Sequence, residues 1–296
     1  MTTPLPKDPT ASVREGAKDA RPEGGRAATD VPLLAADALG KSYPLPGGGR
    51  HQAVDGVSFT VAPGGALGIV GESGSGKTTV ARMLVGLVAP DRGTVTVSGR
   101  PRGTRPPRGR ARRLARAREI QMVFQDPYLS LDPRLTSTQC LRTALRLHGR
   151  DESLAAELLD QVGLGSREAD ARPGVLSGGQ RQRLATARAL AVDPSILVLD
   201  EAVAALDVSI QAQILRLLAD IRRDTGVALV FVSHDLAVVR HVTDDVLVMR
   251  HGKAVEHGPT ARVLSAPEDP YTRRLLASAP REGWDPAAAA DSEGRS

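Results

Sequence analysis

Eight consecutive residues, Gly71-Glu72-Ser73-Gly74-Ser75-Gly76-Lys77-Thr78, carry the densest chemistry in the chain. Glycines at three of the eight positions let the backbone curl until its N–H groups face a common point. A helix starting near Lys77 would add the positive end of its dipole. A chain of phosphates fits such a cradle: Lys77 supplies a point charge to the β and γ groups, and the Thr78 hydroxyl supplies a ligand for Mg²⁺. The spacing matches the P-loop pattern, and Thr79 carries the expected nucleotide contact one residue further.

A loop of this kind needs a carboxylate to hold the water shell of its cation. Asp200 closes the apolar run 196–199, and Glu201 follows it. A strand over that run would deliver Asp200 to the same sheet edge as the glycine loop. One residue on, Glu201 would point toward the γ-phosphate and orient or deprotonate an attacking water. Alone, a strand ending in two acidic residues is an ordinary turn; beside the 71–78 loop it reads as a metal ligand and a base. A second anion-binding design stands at Leu176-Ser177-Gly178-Gly179-Gln180, where a serine and two glycines open a helix. Ser177 is also a good N-cap. One phosphate loop hardly needs a second cradle in the same chain, unless that cradle serves the nucleotide of another subunit.

The elements that must hold these residues alternate. Residues 66–70, 196–199 and 227–232 are short apolar runs that read as buried parallel strands. Val80, Met83, Leu84 and Leu87 recur at helical spacing behind the glycine loop. Residues 154–162 and 180–191 read as helices, and 246–249 with 254–255 as a late hairpin turning at His251-Gly252. Such alternation gives an α/β core with a mainly parallel sheet. Residues 1–30 and the last fifteen or so, from Arg281 and including Trp284, lack apolar periodicity and are expected as disordered tails.

Composition bounds the rest. A chain of 296 residues lies near the upper limit for one hydrophobic core. Seven aromatics leave that core to Ala, Val, Leu and Ile. The single cysteine, Cys140, excludes an internal disulfide and any four-cysteine zinc or iron–sulfur site built by this chain alone; it reads as a buried small residue. The first thirty residues hold no apolar signal core, and no run of eighteen apolar residues occurs, so a soluble chain in a reducing compartment is expected. The net charge of +5 comes from one segment: removing the nine arginines between Arg100 and Arg118 turns it into −4. That pattern fits a loop and a solvated helix near 112–118, with anionic lipid headgroups as the alternative contact, and not a nucleic-acid partner.

Taken in order, the 71–78 loop, Gln125, the Leu176–Gln180 segment, Asp200-Glu201 and His234 resemble the nucleotide-binding domain of ABC transporters, over roughly residues 33–280. The resemblance implies a P-loop NTPase core of α/β class with a mainly parallel sheet, an N-terminal antiparallel β portion and an inserted α-helical subdomain. It implies a domain at 31–255 with the helical subdomain at about 120–180, and an extension at 256–280 between the tails. Two such domains would sandwich two ATP molecules with Mg²⁺. The 71–78 loop of one would face Ser177, Gly178, Gly179 and Gln180 of the other. Tyr43 resembles the aromatic that stacks on adenine, and Gln125 the glutamine that touches Mg²⁺ and the attacking water. His234 resembles the switch histidine at the γ-phosphate, and Asp207 the loop that passes information between the two sites. The implied catalytic set is Glu201, Gln125 and His234, and the metal set Thr78, Gln125 and Asp200.

Three further stretches, 125–134, 206–213 and 270–276, resemble oligopeptide and dipeptide importers, and the run after Leu176 resembles the second of their two distinct ATPase subunits. Ala202 and Ala204 stand where that family usually has Pro and Ser. The implied partners are two integral-membrane permease subunits, a second homologous ATPase subunit, with a homodimer of this chain as the alternative, and, through the permease, a substrate-binding protein. The implied place is the cytoplasmic face of the membrane. Import of another small solute or peptide export stays open, because absent subunits choose the substrate. A soluble ABC ATPase acting on ribosomes or DNA usually carries a second cassette or a long coiled-coil or zinc insertion. A P-loop kinase would have no purpose for the 177–180 cradle.

Overall fold

The computed structural model describes residues 31–278 apart from 105, 106 and 205. The expected tails, Trp284 and the last two residues of the expected extension lie outside the described residues. Among the described residues ten strands form: β1 (Leu34–Pro44), β2 (Arg50–Val61), β3 (Ala66–Val70), β4 (Arg92–Val97), β5 (Arg100–Pro101), β6 (Ile120–Val123), β7 (Ile196–Asp200), β8 (Ala228–Ser233), β9 (Asp245–Arg250) and β10 (Lys253–Pro259). The α-helices are α1 (Lys77–Val85), α2 (Arg110–Glu119), α3 (Ser137–Leu147), α4 (Leu154–Gln161), α5 (Ser166–Ala169), α6 (Gly178–Leu190), α7 (Val208–Thr225), α8 (Leu236–Val242), α9 (Thr260–Ser265) and α10 (Pro270–Ser278).

The strands form two sheets. One is antiparallel, in the order β2-β1-β4-β5. The other has the order β10-β9-β3-β8-β7-β6, parallel throughout except at the β9–β10 hairpin. Every residue of β3, β7 and β8 is buried, because both faces of this sheet are covered. Along β7, Leu197 and Leu199 join a core with residues of α6, α7 and α8, while Ile196 and Val198 join another with α1 and the antiparallel sheet. A strand covered on both faces must be apolar at every position, which is why these runs do not alternate with polar residues.

Two expectations shift. Leu87 does not continue the face of Val80, Met83 and Leu84: Gly86, at φ +84°, ends α1 in the left-handed conformation and leaves Leu87 62% exposed. The third core gathers residues between Leu131 and Ala191 from α3, α4 and α6, later than the 120–180 expected for the helical part. Residues 120–123 instead pair with β7 as β6. Cys140 is buried in α3. The arginine-rich segment forms α2, which has no buried residue. Among the described residues, no helix is long and apolar enough to cross a membrane.

Candidate functional site

The C-terminal ends of the parallel strands deliver the site, as is usual where strand order in an open sheet reverses. The chain leaves β3 and turns at once. A Cβ on Gly71 (φ +149°) would stand 2.1 Å from the Met249 carbonyl oxygen, and one on Gly76 (φ +102°) 2.2 Å from that of Ala53. The loop therefore lies flush against β2 and β9 before opening α1. Lys77, 4% exposed, donates from Nζ to the carbonyls of Gly71 and Glu72, each at 2.8 Å. Burial pushes its ammonium below the usual lysine range, against the pull of Glu201, Asp200 and Glu72.

Asp200 ends β7 almost fully buried, and its Oδ1 accepts the Thr78 hydroxyl at 3.0 Å. Burial pushes its carboxyl upward; the Thr78 bond opposes that, and the Glu201 carboxylate adds to it. The pair offers two hard oxygen ligands. That donor set fits Mg²⁺, which takes one or two protein oxygens and completes its octahedron with water and phosphate. Among the described residues, no cluster of three or more His, Cys, Asp or Glu could hold an ion unaided.

Glu201 adopts φ +47°, a left-handed backbone that costs an L-residue on the order of 1–2 kcal/mol. Its N–H bonds the Val232 carbonyl at 3.0 Å, which pins the turn to β8. Its Oε2 accepts from Gln125 Nε2 at 3.2 Å, and its Oε1 lies 3.6 Å from His234 Nδ1. Residues following β6, β7 and β8 thus converge on one carboxylate.

A cleft of about 260 Å³ is shared by Glu201 and the loop, while Gln125, Asp200 and His234 stand outside its lining. Ser73, Gly74, Gly76, Lys77, Thr78 and Thr79 of the loop and α1 line it, together with Tyr43 and Glu201. His51 lines it too, and sequence reasoning missed it. It faces Tyr43 across the β1–β2 register, a pairing that no local motif announces. The Leu176–Gln180 cradle is not part of this cleft. Ser177 and Gln180 make a reciprocal capping box at the start of α6, and Gly178 borders a separate cavity of about 440 Å³ with Gln125, Tyr128, Arg181 and Gln182. Asp207 caps α7: its carboxylate accepts the Ile210 N–H and the Ser209 hydroxyl, each at 3.0 Å, and those bonds hold its pKa below the usual range.

A glycine loop at the head of α1, with a threonine–aspartate pair and a glutamate beside it, defines a P-loop nucleoside-triphosphate-binding protein. The family model described as ABC transporter matches residues 54–204. The probable peptide ABC transporter ATP-binding protein y4tS of Sinorhizobium fredii (strain NBRC 101917 / NGR234) is 48% identical over 84% of this chain and 72% of its own length. The glutathione import ATP-binding protein GsiA of Escherichia coli (strain K12) is 44% identical over 92% of this chain, which spans less than half of GsiA, 45%. The solved dimeric structure of the ATP-binding cassette MJ0796, in a post-hydrolysis state bound to ADP and Pi, superposes with a TM-score of 0.69 at 28% identity, over 77% of this chain and 99% of that one. The chain belongs to the ABC transporter family, as one of its ATP-binding, ATP-hydrolysing proteins.

Proposed function

We propose that the chain binds Mg·ATP on the 71–78 loop and hydrolyses it through Glu201, as one half of a two-cassette motor that drives import of short peptides. The observation that carries the chemistry is the convergence of Gln125 and His234 on the Glu201 carboxylate, beside the Thr78–Asp200 pair. Lys77 exchanges its two carbonyl acceptors for phosphate oxygens, and Tyr43 stacks on the base. Thr78, Asp200 and Gln125 hold the cation, which supplies charge neutralisation at the phosphates when bound. Glu201 orients the attacking water and takes its proton, while Gln125 and His234 fix the carboxylate's direction. Ser177, Gly178, Gly179 and Gln180 serve the nucleotide held by the partner cassette, and Asp207 links the two sites. The reading of that partner as a different, homologous subunit rests on resemblance alone.

The metal assignment makes a stability prediction. The carboxyl of Asp200 is pushed up in the folded chain, so the folded form keeps its proton to higher pH than the unfolded form. The stability it contributes is present at low pH and is lost as pH rises through the folded pKa. Without a cation, ionising this buried group is a cost that a neutral side chain of the same shape avoids. Asp200→Asn is expected to raise Tm in the absence of Mg²⁺ and to abolish Mg²⁺-dependent turnover. A variant with lower Tm and intact turnover would contradict the assignment.

Peptide import is supported by the kinship with y4tS and GsiA, a peptide and a glutathione system by name. The domain limits follow the same reading: a cassette at 31–255 and an importer-type extension at 256–280. The permease contact falls on the turn after Gln125, where Leu129 stands 70% exposed and Tyr128 44%. On this reading the chain is a peripheral protein on the cytoplasmic face of the membrane. A photo-cross-linker at Leu129, in native membranes, is expected to capture an integral-membrane subunit. Capture of soluble proteins alone would refute the contact.

A further inference from the structure

The helix α10 lies 199 positions from the phosphate loop in sequence, yet one of its side chains bonds the loop backbone: the Glu72 N–H donates to Tyr271 Oη at 2.9 Å. The peptide group involved is the one joining Gly71 to Glu72. Its N–H meets Tyr271, and its carbonyl, on Gly71, accepts from Lys77 Nζ at 2.8 Å. A trans peptide is planar and its N–H and C=O point opposite ways, so two groups at its two ends fix its rotation completely. One of those groups is the ammonium that ATP recruits.

Tyr271 is itself held fast. Its side chain is 4% exposed within the core shared with β3 and β8, and the Arg250 guanidinium lies 5.0 Å from the ring centroid. Its own N–H donates to Asp269 Oδ1 at 2.7 Å. The N–H groups of Glu268 and Asp269 in turn donate to the carboxylate of Glu256 on β10, at 2.9 and 3.1 Å. A continuous set of bonds therefore runs from β10 through the start of α10 to the mouth of the phosphate loop.

We infer that Tyr271 is a positioning residue for ATP, and that through it the C-terminal helix and the nucleotide report on each other. When phosphates claim Lys77, the Gly71 carbonyl loses its ammonium, and the Tyr271 hydroxyl is what keeps the peptide from turning that carbonyl toward the phosphates. Without the hydroxyl the loop must be reordered at each binding event. Linkage makes the effect reciprocal: bound nucleotide must stabilise the α10 contact by the factor that the contact raises nucleotide affinity. The inference rests on the nucleotide-binding reading given above.

Tyr271→Phe removes the hydroxyl and keeps the ring in its core position. In the full chain, titration with fluorescent mant-ATP and Mg²⁺ is expected to show affinity weakened about threefold to tenfold, the worth of one hydrogen bond, with Tm nearly unchanged. Hydrogen exchange supplies the second arm: nucleotide should increase amide protection at residues 271–276 in the parent and not in the Phe variant. Equal affinity in the two proteins overturns the inference, as does weakened affinity with protection lost uniformly across the fold. Failure of the parent itself to bind mant-ATP would instead sink the nucleotide-binding reading.

Discussion

Glu201→Gln leaves ATP binding intact and slows turnover by about 10²–10⁴-fold. The substitution is nearly isosteric, and the amide oxygen can still accept from Gln125, now at 3.2 Å from Oε2, so the site keeps its shape. What disappears is the negative charge and basicity that a water must meet. Steady-state turnover together with equilibrium nucleotide binding separates the two effects: a fall in kcat with unchanged affinity marks a group used in the chemical step. On the proposed two-cassette reading, the variant is also expected to accumulate as an ATP-bound dimer in sedimentation. Near-normal turnover would show that another group serves as base.

Lys77→Ala acts on binding instead, with ATP affinity expected to fall about tenfold to a hundredfold, the worth of charged hydrogen bonds. Its effect on folding sets the loss of two bonds to loop carbonyls against the removal of a buried charge. Burial lowers the pKa of this lysine, so between that value and 10.5 the folded chain carries fewer protons than the unfolded one, and stability rises with pH across that window. Below it, the buried charge is a cost that alanine removes. The parent protein should also lose ATP affinity as pH climbs through the lowered pKa, since the phosphates then meet a neutral amine. The Ala variant should show no such step. Isothermal titration across pH checks both; a parent whose affinity stays flat through the titration of Lys77 would mean that the ammonium is not a phosphate ligand.

The residues most legible in the sequence were those whose geometry is local. The 71–78 loop announces itself because the turn, the lysine and the helix start lie within eight positions, and Asp200 because a fully apolar strand must end somewhere polar. Gln125 and His234 carried no local signal; only their order along the chain singled them out, and their meeting at Glu201 is a property of the sheet order β8-β7-β6. His51 was invisible because an antiparallel register, not spacing, sets it opposite Tyr43. Leu87 misled for the opposite reason: its spacing was helical, but the left-handed Gly86 had already ended the helix. Tyr271 stood in a stretch notable for resemblance, with nothing in its neighbourhood to connect it to Glu72.

With Glu201 as the proposed base, its left-handed backbone sets folding and hydrolysis against each other at one codon. A single-base transition converts either glutamate codon to glycine, the one residue that adopts a positive φ without penalty. Such a change would relax the turn after β7 and erase the carboxylate in the same step. Lineages released from the need to hydrolyse would find this an easy path: a cassette that folds somewhat better, still closes on its ligand, and never turns over. On that proposed role, a glutamate kept at so strained a position marks a cassette that still needs its carboxylate.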